Sequence, residues 1–284
     1  MKRWMTFFNE RSPLAPMLIL SGVVCASTQY LSRHSLKWDA FALNTVFLAT
    51  FLTLLRVMDE VKDVEKDKVI HPERPLARGL IPIGEARSFV KKTLVFLAVL
   101  ALVGGAISGV GSFLLLFTVL CGWLMYKEFY AGEMLSKNLF VFAVSHQLIA
   151  LPLYLGVIAM GSESRGLDEI GWAYAWLALG CSFSYELCRK LNAEAHPHTR
   201  NYVQVHGVRA TLVGIVVALG VILLNAKHLG MLSLFVPLVL AQLATLVLYV
   251  IRPKYHAVPA GLAFLTILGQ VFGPALHAWW GWPT

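Results

Sequence analysis

Between Lys92 and Lys127 the chain has no Asp, Glu, Lys or Arg, and between Arg209 and Arg252 it has only Lys227. Such stretches exceed the roughly 20 residues that cross a bilayer as a helix. In hydrocarbon every backbone N–H and C=O must be satisfied within the protein, so a spanning segment is a helix or a strand of a closed barrel. Barrel strands alternate apolar and polar residues, and these runs do not. The chain is therefore read as an all-α, polytopic membrane protein. Its composition agrees: 57% of the 284 residues are hydrophobic and 14% are charged, where a soluble domain carries about 25% charge.

Nine spans are predicted, near 13–31, 39–57, 93–109, 112–129, 139–160, 169–187, 209–226, 230–251 and 257–279. The turn Ser108-Gly109-Val110-Gly111-Ser112 separates the third from the fourth, and Pro253 and Pro259 mark the turn before the ninth. No small-residue cleavage site follows a short apolar run near Met1, so no cleaved signal peptide is expected. Placing the N-terminus inside puts 20 of the 24 Lys and Arg on the inner side and leaves Arg33, Lys37, Arg165 and Lys227 outside. That asymmetry predicts an N-inside, C-outside topology. It also accounts for the net charge of +8 without nucleic acid as a partner. Residues 1–284 read as one transmembrane domain, with polar inner loops at 56–92 and 186–208. Spans one to four and five to eight are read as distant copies of one unit. Cys25, Cys121, Cys181 and Cys188 have no CxxC spacing and read as small hydrophobic residues.

The first inner loop is where the composition changes. Asp59, Asp63 and Asp67 recur every four residues, along one face of a helix. Like charges so placed repel one another unless a cation lies between them. Carboxylate oxygens suit Mg²⁺, which usually completes its shell with water and substrate phosphate. Lys62, Lys66, Arg74 and Arg78 stand nearby and could contact phosphate oxygens. The plainer reading is a solvated helix extension with local pairs such as Asp63 with Lys66. The loop after span six repeats the spacing as Glu186, Lys190 and Glu194, with Arg189 between.

Asp59, Asp63 and Asp67, followed by Pro72, Arg74-Pro75-Leu76 and Gly79, resemble the UbiA superfamily of intramembrane prenyltransferases. The first motif of that family is Asn-x-x-x-Asp-x-x-x-Asp with a downstream Arg-Pro-Leu-x-x-Gly. The resemblance implies nine helices around a central cavity open to lipid, and an isoprenyl diphosphate bound through Mg²⁺. It points to a divergent bacterial subgroup, and so to a bacterial inner membrane with the motif loops cytoplasmic. Two departures stand out. Asp59 occupies the place of the usual Asn, and Lys190 stands where the second motif of the family has an acid.

The resemblance assigns metal binding to Asp59, Asp63, Asp67, Glu186 and Glu194, and diphosphate binding to Arg74, Lys127, Arg189 and Lys190. Asp59, Asp63, Lys127, Glu128 and Lys190 are the expected catalytic residues. Lys127 also fits a lysine snorkelling at the inner interface. Glu128 is a carboxylate close to hydrocarbon, where charge is costly. His146, inside span five, reads either as a proton acceptor or as a helix-to-helix hydrogen bond. Tyr126 and Tyr185 could stabilise an allylic cation through their ring faces or sit as interfacial aromatics. His71, His196, His198 and His206 match no zinc spacing. Gly269 and Gly273 read as helix packing.

The expected chemistry is Mg²⁺-dependent ionisation of an isoprenyl diphosphate in a dry membrane cavity. An acceptor, lipophilic or aromatic, then captures the cation. Alternatively the chain's own double bond does so, which would make the protein a terpene cyclase. A divalent-ion transporter is a third reading, disfavoured by the many bases beside the acidic face.

Overall fold

The structure is a computed structural model that describes residues 2–33, 35–162, 167–195, 199 and 201–280. Arg165, Arg200, His196 and His198 lie outside the described residues. The elements are α1 (Lys2–Arg11), α2 (Leu14–Arg33), α3 (Trp38–Ile70), α4 (Ile83–Val103), α5 (Gly109–Tyr126), α6 (Gly132–Ser136), α7 (Leu139–Gln147), α8 (Ala150–Gly161), α9 (Glu169–Cys188), α10 (Tyr202–His228), α11 (Leu232–Ile251) and α12 (Val258–Trp280). No strand occurs among the described residues.

The helices pack in a closed series in which α2, α3, α4, α5, α8, α9, α10, α11 and α12 each contact the next and α12 returns to α2 and α9. Two apolar cores result. One joins α1–α5 and α8, the other α7–α12, and Tyr154 and Ile267 pack against both. Outward faces are apolar too: Val95, Val99, Val213, Val217, Leu240 and Val247 are all more than half exposed. Buried polar residues such as Asn44, Ser184, Gln242 and Gln270 face inward. An apolar exterior around a partly polar interior suits lipid as solvent. Among the described residues, eight stretches are long and apolar enough to cross a membrane, from Leu14–Ser32 to Pro253–His277. The 20-residue α9 corresponds to the sixth expected span, and its Ser182, Ser184 and Glu186 make it more polar.

Three features depart from the sequence reading. First, the second span and the charged stretch are one continuous 33-residue helix, α3. At 1.5 Å per residue it is about 50 Å long, against roughly 30 Å of hydrocarbon. Its charged third therefore extends the helix axis of the span. It ends where His71 precedes Pro72, a position that disfavours helix, and His71 N–H caps it by donating to Asp67 O at 2.8 Å. Second, the fifth span breaks into α7 and α8 at Leu148-Ile149. Pro152 cannot donate to the carbonyl four residues back. Third, α1 is a separate short helix. Its buried Phe7 and the Trp4 ring, stacked on Phe89 at 4.6 Å, pin it to α4.

Small residues set the close approaches. A Cβ on Gly111 would lie 2.9 Å from the Met160 backbone nitrogen, so α5 and α8 touch backbone to side-chain-free backbone. Gly269 and Gly273 of α12 face Leu238, Phe235 and Met231 of the α11 region, which is the packing role expected of them. All four cysteines are free, three of them buried.

Candidate active site

The polar end of α3 forms one wall of a cavity of about 420 Å³. Arg56, Asp59, Glu60, Asp63, Lys66 and Asp67 line it from that helix. Arg74, from the turn after α3, and Arg189, Lys190, Asn192 and Asn201, from the segment between α9 and α10, close the other sides, with His256 at the rim.

Local chemistry sets each wall. After Pro72 the chain folds back in a compact turn: Arg74 N–H donates to His71 O at 3.0 Å and Leu80 N–H to Pro75 O at 2.9 Å. Gly79 takes φ 75°, and buried Leu76 and Ile81 anchor the turn in the core. This geometry returns the Arg74 guanidinium to α3, where Nη1 donates to both Asp67 oxygens at 2.7 and 2.8 Å. On the far wall, Asn201 caps α10 in a capping box with Gln204. The Asn201 amide also donates to Asn192 O, and Gln204 Nε2 donates to Ala195 O at 2.7 Å, tying the segment after α9 to the start of α10.

The carboxylates divide into two groups. Asp67 is committed to Arg74. Glu186 is committed to its own helix end: Arg189 Nη2 lies 2.6 Å and Lys190 Nζ 2.5 Å from its oxygens. Partial burial opposes the charge on Arg189, but the Glu186 carboxylate outweighs it and raises the Arg189 pKa further above its ordinary value. Asp59 and Asp63 have no ion pair within 4 Å among the described residues. Lys62, which stands between them in sequence, pairs instead with Glu128 at 3.2 Å. Glu60, which also lines the cavity, takes Arg11 Nε at 2.5 Å. Two uncommitted carboxylates thus face three held bases across one polar space.

Of the expected site residues, Asp59, Asp63, Asp67, Arg74, Arg189 and Lys190 line this cavity. Glu186 acts one layer behind it. Glu194 does not reach it: the side chain is exposed, in a turn that Asn192 Oδ1 stabilises by accepting Glu194 N–H. Lys127 is also exposed, with its ammonium 5.6 Å from the Tyr126 ring centre, and does not line the cavity. Tyr185 leans on Phe264, ring centres 6.0 Å apart. Glu128 and His146 belong to a neighbouring cluster reached through Lys62. His206 is a structural acceptor, its Nε2 receiving Leu139 N–H at 3.2 Å. Sequence reasoning missed Glu60, Asn192, Asn201 and His256. The Asn-x-x-Gln spacing of a capping box signals Asn201; His256 carries no such signal.

The profile of the UbiA prenyltransferase family matches residues 18–281. The chain belongs to this family. The match runs from within α2 through α12 and takes in both polar walls of the cavity. One solved structure, described as giving structural and mechanistic insights into the biosynthesis of digeranylgeranylglyceryl phosphate synthase in membranes, has a TM-score of 0.61 to this chain. It is 15% identical, and the likeness covers 98% of this chain and 99% of that one. At that identity the likeness establishes the fold. No curated protein matches the sequence. A UbiA-family protein with this many apolar helices is an integral, multi-pass membrane protein.

Proposed function

We propose that the chain ionises an isoprenyl diphosphate in the polar cavity and transfers the prenyl group to an acceptor. The observation that carries this reading is the pairing of uncommitted Asp59 and Asp63 with Arg74, Arg189 and Lys190 around one space of about 420 Å³. Arg presents a fork of donors to phosphate oxygens and Lys a point charge, so the basic side suits the two phosphoryl groups.

The acidic side suits a divalent cation. Among the described residues no three acidic, His or Cys groups converge as a ready metal site, so the protein offers two carboxylates. That donor set fits Mg²⁺, which tends to keep several waters and to take phosphate oxygens as ligands. Asp59 and Asp63 would hold it; when bound it would neutralise charge developing on the leaving diphosphate. Arg74, Arg189 and Lys190 place fixed positive charge where the leaving group accumulates negative charge, and such preorganised charge is worth most away from water. Glu186 orients Arg189 and Lys190, and Asp67 orients Arg74. Lys190, out of place in an acidic second motif, thereby becomes a diphosphate ligand. The prenyl tail would lie among the apolar helices, on the lipid side of the polar wall. The motif walls would face the cytoplasm, given the inward bias of Lys and Arg.

The test uses purified protein with C10 to C20 isoprenyl diphosphates, Mg²⁺ and a membrane lipid extract as the acceptor source. Diphosphate release and a labelled lipophilic product support the proposal. Asp63→Ala is expected to lower release by at least about 10²-fold, the scale on which loss of one electrostatic stabiliser acts. Unchanged release would overturn the assignment of the site. A cyclic hydrocarbon or alcohol formed without any acceptor would replace transfer by cyclisation.

A further inference from the structure

Beside the polar cavity lies a second cluster, built from three elements. Directly after α5, Glu128, Phe129 and Tyr130 take φ values of 52°, 54° and 55°. Three successive non-glycine residues in the left-handed region cost roughly 1–2 kcal/mol each, and strain of this kind persists only where the surroundings enforce it. Here the Lys62–Glu128 ion pair holds one end at 3.2 Å. The product of the strain is the position of Phe129, whose ring meets His146 edge-on with centres 5.6 Å apart. Phe142 stacks on the imidazole from α7 at 4.0 Å, and Lys62 Nζ sits 5.6 Å from the Phe142 ring centre.

His146 is held in one tautomer. Its Nδ1 lies 2.7 Å from Phe142 O, and a carbonyl can only accept, so Nδ1 carries the proton and Nε2 presents a lone pair. That Nε2 is shielded from solvent and has no hydrogen-bond partner. The large majority of buried side-chain polar atoms do have one. The contrast is His206, which also packs on a phenylalanine but whose Nε2 is satisfied by a backbone N–H. Lys62 and Glu128 are the charged groups that face His146. Lys62 stems from between Asp59 and Asp63, so this aromatic box adjoins the helix that forms the polar wall.

A neutral imine nitrogen in an aromatic setting, beside the helix that carries the proposed diphosphate site, has an evident use. We propose that His146 Nε2 is the proton acceptor that completes the reaction, a step that rests on the diphosphate reading above. Diphosphate departs with the C–O electron pair and leaves an allylic cation. Attack by a π bond forms the new carbon–carbon bond and moves the positive charge to a neighbouring carbon. Loss of a proton from the adjacent C–H to Nε2 returns that electron pair to the π system, giving a neutral product and an imidazolium. The Glu128 carboxylate stabilises the imidazolium afterwards.

The test compares wild type with His146→Asn, whose amide can still donate to Phe142 O but supplies no base. Each is incubated with Mg²⁺, labelled geranylgeranyl diphosphate and the lipid extract. Diphosphate release and the ratio of deprotonated products to water-derived alcohol are both measured. His146→Asn is expected to keep release while the ratio falls by about 10²-fold or more, the scale of general-base catalysis, and added imidazole is expected to restore it. A ratio that does not change overturns the proposal, as does a loss that imidazole does not rescue. His146→Gln replaces the variant should His146→Asn fail to fold. No diphosphate release from wild type would overturn the diphosphate reading and this step with it, whereas release with an unchanged ratio overturns this step alone.

Discussion

Replacing Arg74 by alanine tests whether Asp67 is a structural anion or a metal ligand. The Asp67 side chain is 4% exposed and the Arg74 side chain 24%. Removing one partner of a buried pair typically costs about 3–5 kcal/mol, because the other charge is left without compensation. Arg74 is a quarter exposed, so water can follow it out and reach Asp67, which places the cost near the lower end, about 3 kcal/mol. At about 2–4 °C per kcal/mol, the scale for chains longer than about 150 residues, Arg74→Ala is expected to lower the unfolding midpoint by about 6–12 °C. Thermal unfolding in detergent, followed by tryptophan fluorescence, measures it. Asp67→Asn removes the charge that needs Arg74, so the double variant is expected to recover much of the loss, with a coupling of about 2 kcal/mol. Asp67→Asn alone is also expected to spare diphosphate release more than Asp63→Ala does. Additive losses in the cycle, or an Arg74→Ala midpoint within about 2 °C of wild type, would refute this reading of the pair.

Two backbone predictions are independent of chemistry. Gly207 breaks the start of α10 with φ 80° and ψ 165°, and a Cβ there meets nothing within 4 Å; Gly207→Ala is therefore expected to cost about 1–3 kcal/mol from backbone strain alone, read as a lower unfolding midpoint. Gly111→Ala is expected to cost a similar amount, about 1–3 kcal/mol, by pressing a methyl into the Met160 backbone. Gly220→Ala, with open space in the same assay, should be neutral or slightly stabilising.

The sequence made the membrane class, most spans and the acidic face legible because each depends on local pattern: absence of charge over 20 residues, or carboxylates four apart. The relation between Asp67 and Arg74 was not legible. It depends on the turn from Pro72 to Gly79 doubling back, which spacing alone does not reveal. Lys62 shows the same limit. Its sequence neighbours are Asp59 and Asp63, yet its partner is Glu128 on another helix end. Glu194 shared the i, i+4 spacing of Glu186 and Lys190, but α9 ends at Cys188, so the spacing ceased to mean one face. Pro152 was visible, but a proline can kink or break a helix, and only the structure shows the break at Leu148-Ile149. The left-handed backbone of Glu128 to Tyr130 had no signal at all, since none of the three is glycine.

The short helix before the first span bears on how the protein can be handled. Arg11 supplies the counter-charge for Glu60, whose side chain is 2% exposed, and Arg56 Nε reaches Arg11 O at 3.3 Å. Glu10 meets Arg78 at 2.9 Å, and Trp4 donates to Glu85 at 2.6 Å. One amphipathic segment thus buckles together the acidic helix, the turn that follows it and the helix after that. Trimming to the start of α2 would leave every candidate span whole, yet it would unfasten the wall on which the diphosphate is proposed to rest. The edge of the polar cavity is thus held in place by residues that a hydropathy plot would mark as expendable.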